Sequence, residues 1–97
     1  MTKATFEPLV PAWYSWLTRH YLGIVRVYLT NETKEPAKYK FFTVASIQRK
    51  RCHIIGLSHA SITLKDLRAI AKCVKVYAVT ELYWTHNNKL KIYKVNV

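Results

Sequence analysis

The chain has 97 residues, and 16 lysines and arginines against five aspartates and glutamates give it a formal net charge of +11. Because 51% of the residues are hydrophobic and 13% are aromatic, the composition excludes a basic disordered tail, which would be too polar to bury a core. The length suits one hydrophobic core and is too short for two, so residues 1–97 are predicted to form a single basic binding domain.

A helix is predicted at residues 11–22, with Pro11 near its start and Gly23 just past its end. The side chains that recur at helical spacing on one face are Trp13, Trp16, Leu17 and Tyr21. Tyr14 lies off that face. Large exposed aromatics are typical anchors of protein interfaces, although Trp13 and Trp16 would also suit the core face of this helix.

Two strands are predicted next. Residues 24–30 alternate in polarity and are rich in β-branched side chains, which puts Arg26 and Tyr28 on the solvent side of a strand. A polar loop at 31–38 separates this strand from a second one at 39–47, and we expect the two to pair as a hairpin.

Three consecutive cations, Arg49, Lys50 and Arg51, interrupt the apolar pattern and predict a turn. Residues 52–57 then form a short predicted strand, which Gly56 helps to end. The chain has too few acids to neutralise most of its cations, so we expect these three to face solvent or an acidic partner.

The spacing of Thr63 and Asp66 resembles a capping box and predicts the start of a second helix. Its apolar stripe consists of Leu64, Leu67, Ile70, Ala71 and Val74. The cations that lie away from this stripe are Lys65, Arg68, Lys72 and Lys75. One face of the helix is therefore predicted to be apolar and another to be uniformly basic.

The last third of the chain predicts a hairpin, with strands at 76–84 and 89–97 joined by turn residues at 85–88. The alternation changes parity at Tyr93, which predicts a bulge there. The resulting order, α-β-β-β-α-β-β, has no sustained βαβ alternation. We therefore predict an α+β fold with a small, mostly antiparallel sheet and two helices.

Cysteine content and hydropathy indicate a compartment. A secreted domain of this size would more often be crosslinked by several disulfides, whereas Cys52 and Cys73 are the only cysteines and are far apart in the sequence. No stretch approaches the roughly 20 apolar residues that span a bilayer, and residues 1–8 lack the apolar run of a secretory signal. We expect a cytoplasmic protein with no membrane partner.

Patterns typical of metal sites and catalysis are weak. A closed zinc site uses four ligands at tight spacings, whereas the cysteines and histidines here are scattered along the chain. A catalytic triad would have to combine Ser58 and His59 with Asp66 or Glu81, and no glycine-rich turn surrounds Ser58. We predict no enzymatic activity, no metal and no cofactor.

The basic and aromatic side chains carry the functional prediction. For a protein partner, the predicted contact residues are Trp13, Tyr14, Trp16, Arg49, Lys50, Arg51, Lys65, Arg68, Lys72 and Lys75. For nucleic acid, cations would contact phosphates while aromatic rings stack on unpaired bases. The residues predicted for that alternative are Arg49, Lys50, Arg51, Tyr83, Trp84, Lys89, Lys91 and Lys94.

Each of these features also has a purely structural interpretation. The excess charge could serve solubility alone. Core packing is favoured for Trp84, and more strongly for Phe41 and Phe42.

Three X-Pro bonds, which precede Pro8, Pro11 and Pro36, lie in predicted loops, where cis and trans forms can coexist. A prolyl isomerase that acts on these bonds is a further candidate partner.

In length, charge and general appearance over the whole chain, including the Met1-Thr2-Lys3 start and the Lys-Ile-Tyr-Lys segment at 91–94, the sequence resembles the anti-RecBCD protein of P22-like bacteriophages. That family has no diagnostic motif that matches here residue by residue, so no functional residue is carried over. The resemblance implies binding to the host recombination nuclease-helicase RecBCD and modification of its activity, so that phage DNA survives. It implies no catalysis by the phage protein itself.

Three functions are therefore carried forward. A modulator that binds a host protein is ranked first and a direct nucleic-acid binder second. A small ribosomal-type or structural protein is third.

Overall fold

The computed structural model describes residues 2–29, 39–55 and 62–95. They form β1 (Thr2–Pro8), α1 (Ala12–Thr18), β2 (His20–Leu29), β3 (Tyr39–Gln48), β4 (Arg51–Ile55), α2 (Leu64–Cys73), a 3₁₀ turn (Lys75–Tyr77), β5 (Glu81–His86) and β6 (Lys89–Lys94). The strands lie in one sheet in sequence order from β1 to β6, and neighbours are antiparallel except β4 and β5. The predicted α+β class is confirmed.

The parallel pairing of β4 with β5 requires a crossover connection, and α2 lies on it. α2 packs against one face of the sheet and approaches β1 and β2 most closely. Its buried residues Leu67, Ile70 and Ala71 belong to one core with alternate residues of the strands. The strand residues in this core are Ala4, Val25, Val27, Ala45, Ile47, Cys52, Ile54, Leu82 and Trp84.

Strand β1 was not predicted. Ala4 is buried and Phe6 packs against the core, while the residues between and beside them lie on the other face, so the segment has the period-2 pattern of a half-buried strand. The pattern is only a few residues long and ends at Pro8, in a segment predicted to be a loop. Pro8 instead ends an edge strand, where a missing N–H is tolerated.

The predicted helix at 11–22 is too long by one turn, because α1 ends at Thr18. Arg19 adopts a left-handed conformation (φ 56°), and its N–H donates to the Ser15 carbonyl at 2.8 Å, which closes the helix. Tyr21 consequently lies in β2 rather than on the helix. Gly23 is not a helix stop either. It lies inside β2, opposite Pro8 and Ala45.

The hairpin of β2 with β3 is confirmed, and Arg26 and Tyr28 lie on the face opposite the core. The strand predicted at 52–57 is observed as β4, while residues 56 and 57 lie outside the described residues. The capping box is confirmed: the Asp66 N–H donates to Thr63 Oγ1 at 3.2 Å, and the Thr63 N–H donates to Asp66 Oδ2 at 3.0 Å.

The apolar stripe predicted for α2 is correct except for Leu64. Leu64 is the first residue of the helix and is exposed, because the helix reaches the sheet only from Asp66 onward.

The strand predicted at 76–84 begins later, at Glu81, after the 3₁₀ turn. β5 and β6 pair in continuous register from Glu81–Lys94 to His86–Lys89, so the bulge predicted at Tyr93 is wrong. A register shift occurs instead in β2, between Val27 and Tyr28.

Candidate functional site

Helix α1 presents large side chains to solvent. It is seven residues long, and Ser15 is its buried residue. Trp13, Trp16 and Leu17 are 67%, 78% and 70% exposed. Tyr14 is less exposed, and its ring meets that of Trp13 edge-on, with centroids 6.1 Å apart. We call these four side chains the aromatic surface. Exposed apolar side chains that cluster in this way are typical of interaction sites.

A cluster of three rings lies beside the aromatic surface. Tyr77, in the 3₁₀ turn, contacts Phe6 edge-on (centroids 5.4 Å apart) and lies 4.5 Å from the ring of Tyr21. These rings, together with Trp16, line an apolar cleft of about 480 Å³. The pKa of the Tyr77 phenol is raised, first by burial and then by Tyr21 and Cys73 nearby, so its neutral form is favoured.

Cations flank the aromatic surface on one side. A second cleft, of about 800 Å³, runs between α1 and the β3–β4 turn. Trp16 and Leu17 line it together with Arg19, Arg49 and Lys50. A partner that covered the aromatic surface would therefore also meet positive charge at its edge.

The predicted basic turn is present, but its three cations diverge. Arg49 and Lys50 are the central residues of the β3–β4 hairpin, and both have positive φ (53° and 65°). Arg51 already belongs to β4, and its Nε lies 3.0 Å from Glu81 Oε1. Of the three, Arg51 is thus neutralised within the fold.

Four cations converge on a groove of about 770 Å³ at the C-terminal end of α2. Arg68, Lys72 and Lys75 follow one another at helical spacing along one wall, and Lys50 reaches the groove from the β3–β4 turn. Within the described ranges, no ion pair joins any of the four to a carboxylate. We call this the basic groove. Its apolar lining is Ala71, Ala78, Val79, Tyr93 and Val95, and Thr80 is also part of it.

Some cations predicted for the site lie elsewhere. Lys65 is exposed on the first turn of α2 and does not line the groove. Lys89 and Lys91 lie on β6, toward the β5–β6 turn, and Lys94 pairs in register with Glu81. The cations predicted as contact residues are thus divided among separate parts of the surface.

The acids of the described ranges are engaged in structural ion pairs. Glu7 binds Arg26, and Glu81 binds Arg51. Asp66 is fully buried, and Lys40 Nζ donates to its two oxygens at 3.0 and 2.9 Å. Asp66 therefore joins α2 to β3. As for the triad considered in the sequence, Ser58 and His59 lie outside the described residues.

The sheet face opposite α2 carries exposed and half-buried rings. Phe42 is 65% exposed, so its predicted place in the core is wrong: strand alternation puts Thr43 and Phe41 on the core side instead. His53 and Tyr83 stack with centroids 4.5 Å apart and planes 9° from parallel. Trp84 faces the other way and lies in the core, so its ring is not placed to stack on a base.

The two thiols are poor nucleophiles. Burial and the neighbouring Cys73 raise the pKa of Cys52 to about 12, and burial raises the pKa of Cys73 to about 11. Both are therefore thiols rather than reactive thiolates at neutral pH. In the ranges that the structure describes, no three His, Cys, Asp or Glu side chains are grouped to hold a metal ion.

No helix in the described part of the chain is long and apolar enough to cross a membrane. In comparisons with known proteins, no family model, curated protein or solved structure matches the chain.

Proposed function

We propose that this protein is a binding protein that docks on a host protein through the aromatic surface of α1 and modifies that protein's activity. The observation that carries the proposal is the exposure of Trp13, Trp16 and Leu17 on a helix that buries only Ser15. In keeping with the resemblance to anti-RecBCD proteins, the partner proposed is the host nuclease-helicase RecBCD. Its modification in the host cytoplasm would protect phage DNA.

The energetics support docking through α1. Covering a large apolar side chain contributes about 1.5–3 kcal/mol, and tryptophans are over-represented among residues whose loss costs an interface 2 kcal/mol or more. Phe6, Tyr21 and Tyr77 line the same apolar cleft as Trp16, so a partner that covers Trp16 could also bury apolar surface in that cleft.

The flanking cations indicate the chemistry of the partner's surface. Arg19 and Arg49 line the cleft beside Trp16, and no ion pair in the described residues neutralises them. The complementary surface is an apolar pocket with acidic residues on its rim.

A prolyl isomerase is proposed as an accessory partner. Pro8 ends β1, and Pro11 is the residue that precedes the first turn of α1; both are exposed. Isomerisation of either X-Pro bond would change the direction in which the chain enters α1. Pro36 lies outside the described residues.

The test is capture of RecBCD by the immobilised protein from host lysate treated with nuclease. We expect wild type to retain the complex, and Trp16→Ala to lose it without a fall in melting temperature, because the Trp16 side chain is largely exposed. Phe42→Ala is the control, since Phe42 is also a large exposed aromatic side chain and lies on the sheet face opposite the core, away from α1.

Three results would overturn docking through α1. Capture that disappears on nuclease treatment would favour the second candidate function, direct binding of nucleic acid. Equal loss in the Phe42→Ala control would mean that α1 is not the docking surface. Binding to anionic lipid vesicles in place of RecBCD would assign the aromatic surface to a membrane.

The second candidate is favoured by a separate observation, the convergence of four cations on the basic groove with no ion-paired carboxylate among the described residues. Its general signature is an affinity that falls steeply as salt rises.

A further inference from the structure

We propose that the basic groove, lined by Lys50, Arg68, Lys72 and Lys75, binds the sugar–phosphate backbone of single-stranded nucleic acid. Binding there would deepen the second candidate function, on which it rests, and does not depend on docking through the aromatic surface. The groove and the cleft beside the aromatic surface share Lys50, whereas Arg68, Lys72 and Lys75 line only the groove.

The spacing of the cations fits a chain of phosphates. α2 rises about 1.5 Å per residue, so Arg68 and Lys72 are displaced by about 6 Å along it, and Lys75 follows on the next turn. Successive phosphates of one strand rise about 3.4 Å along the axis in stacked B-form DNA, and they lie farther apart in an unstacked single strand. The row of three cations can therefore accompany two or three successive phosphates.

The lining of the groove favours a single strand over a duplex. The groove is also lined by Val79, which is buried, and by Val95 and Tyr93, which are half-buried. An apolar floor with a charged wall suits a strand whose phosphates meet the cations while a sugar or an unpaired base covers the floor. A duplex keeps its bases stacked inside and would offer this floor only charged backbone.

Lys50 occupies a costly backbone conformation beside the groove. A two-residue turn in which both residues have positive φ favours Asn and Gly, as in the β5–β6 turn, where Asn87 and Asn88 have φ of 51° and 63°. The β3–β4 turn instead holds two long cations in this conformation. Costly backbone geometry at an exposed site often accompanies function.

The same turn is fixed to the groove wall. The Lys50 carbonyl accepts hydrogen bonds from the Thr80 N–H at 2.8 Å and from Thr80 Oγ1 at 3.3 Å. Since Thr80 also lines the groove, the Lys50 backbone is held beside the floor rather than left free in solvent. These hydrogen bonds fix the backbone at position 50, from which the Lys50 side chain lines the groove.

The test measures binding of a fluorescein-labelled oligothymidylate of about 20 nucleotides by anisotropy, at several salt concentrations. In the groove variant, Arg68, Lys72 and Lys75 are all replaced by Gln. We expect its log–log salt slope to be shallower by about 2, and its affinity at about 0.1 M salt to be about 100-fold lower, since each phosphate contact adds about 0.7 to the slope for a single strand.

A matched variant separates the groove from net charge. Replacing Lys65, Lys89 and Lys91 with Gln removes the same charge from exposed positions outside the groove. It should weaken binding by less than about tenfold, because those cations would act only at a distance. Lys50→Asn, which suits the left-handed backbone, should cost about fivefold through its one phosphate contact.

Several results would overturn the assignment. Equal weakening in the groove and matched variants would mean that net charge binds the oligonucleotide without a defined site; nucleic-acid binding would then stand and the groove would not. Absence of oligonucleotide binding by wild type would reject both. Displacement of the oligonucleotide by a poly-glutamate peptide at equal charge concentration would assign the groove to an acidic protein surface.

Discussion

Gly23 allows strand β1 to pack closely against β2 at the edge of the sheet. A Cβ at this position in β2 would meet the end of the Phe6 ring, and it would lie 2.6 Å from the Glu7 carbonyl oxygen. Glycine is therefore required by the close approach of β1, which faces Gly23 through Pro8. We expect Gly23→Ala to lower the free energy of unfolding by about 1–3 kcal/mol, measured by chemical denaturation, as overpacking does in a filled core.

Phe6→Leu provides the control, because leucine lacks the ring atoms that the new methyl group would meet. The double variant should be less destabilised than the sum of the two single changes predicts, and it should not reach wild-type stability while the Glu7 carbonyl still crowds the methyl group. Strictly additive effects would show that Phe6 does not set the requirement for glycine.

A buried ion pair adds to the apolar contacts that hold α2 on the sheet. Asp66 is fully buried and caps the helix from within, while Lys40 reaches it from β3. Lys40→Met leaves that carboxylate buried without its cation, and it should destabilise the fold by about 3 kcal/mol. Thermal and chemical unfolding measure the effect. Lys65→Met, on an exposed position of the same helix, should change stability by less than about 0.5 kcal/mol.

If Lys40→Met left the stability unchanged, water would have replaced the ammonium group beside Asp66. The apolar face of α2 would then be enough to hold the helix on the sheet. Lys40→Arg distinguishes charge from shape, because it keeps the charge but changes the geometry of the donors. It should recover part of the lost stability. Failure of arginine to recover any would show that the contact depends on the compact ammonium group.

The elements that could be predicted from the sequence are those with local signals. The capping box at Thr63 fixes the start of α2, and the turn at Asn87 and Asn88 marks the last hairpin. β1 lacked such a signal. Its short alternation becomes meaningful only because β2 pairs with it and α2 covers Ala4.

The candidate surfaces were only partly predictable, because exposure depends on what else covers the sheet. The cations of the basic groove could be identified from the sequence. The sequence could not show that Lys50 and Arg68 line the same groove, or that the neighbouring Arg51 pairs with Glu81. Likewise, the helical pattern of Trp13 and Trp16 suits both a core face and an interface. In the structure α1 buries only Ser15, so Trp13 and Trp16 lie outside the core.

Because the molecule has a net charge of +11, rising salt should increase its stability and decrease its affinity for nucleic acid. In the groove, Arg68 repels Lys72, and Lys72 repels Lys75, at helical spacings where like charges cost about 0.2–0.5 kcal/mol each. We expect the groove variant with three Gln substitutions to be more stable than wild type at low salt by about 0.5–1 kcal/mol, or roughly 4 °C in melting temperature. The gain should shrink as salt screens the repulsion.

Melting curves of both proteins at low and high sodium chloride measure this difference, with the matched variant of Lys65, Lys89 and Lys91 as control. These three positions are spread over α2 and β6, so their substitution should stabilise less. A groove variant that melted below wild type at low salt would show that the aliphatic stems of these cations support the fold. The groove would then be part of the scaffold, whereas a gain in stability together with lost oligonucleotide binding is the pattern expected of charges kept together for a ligand.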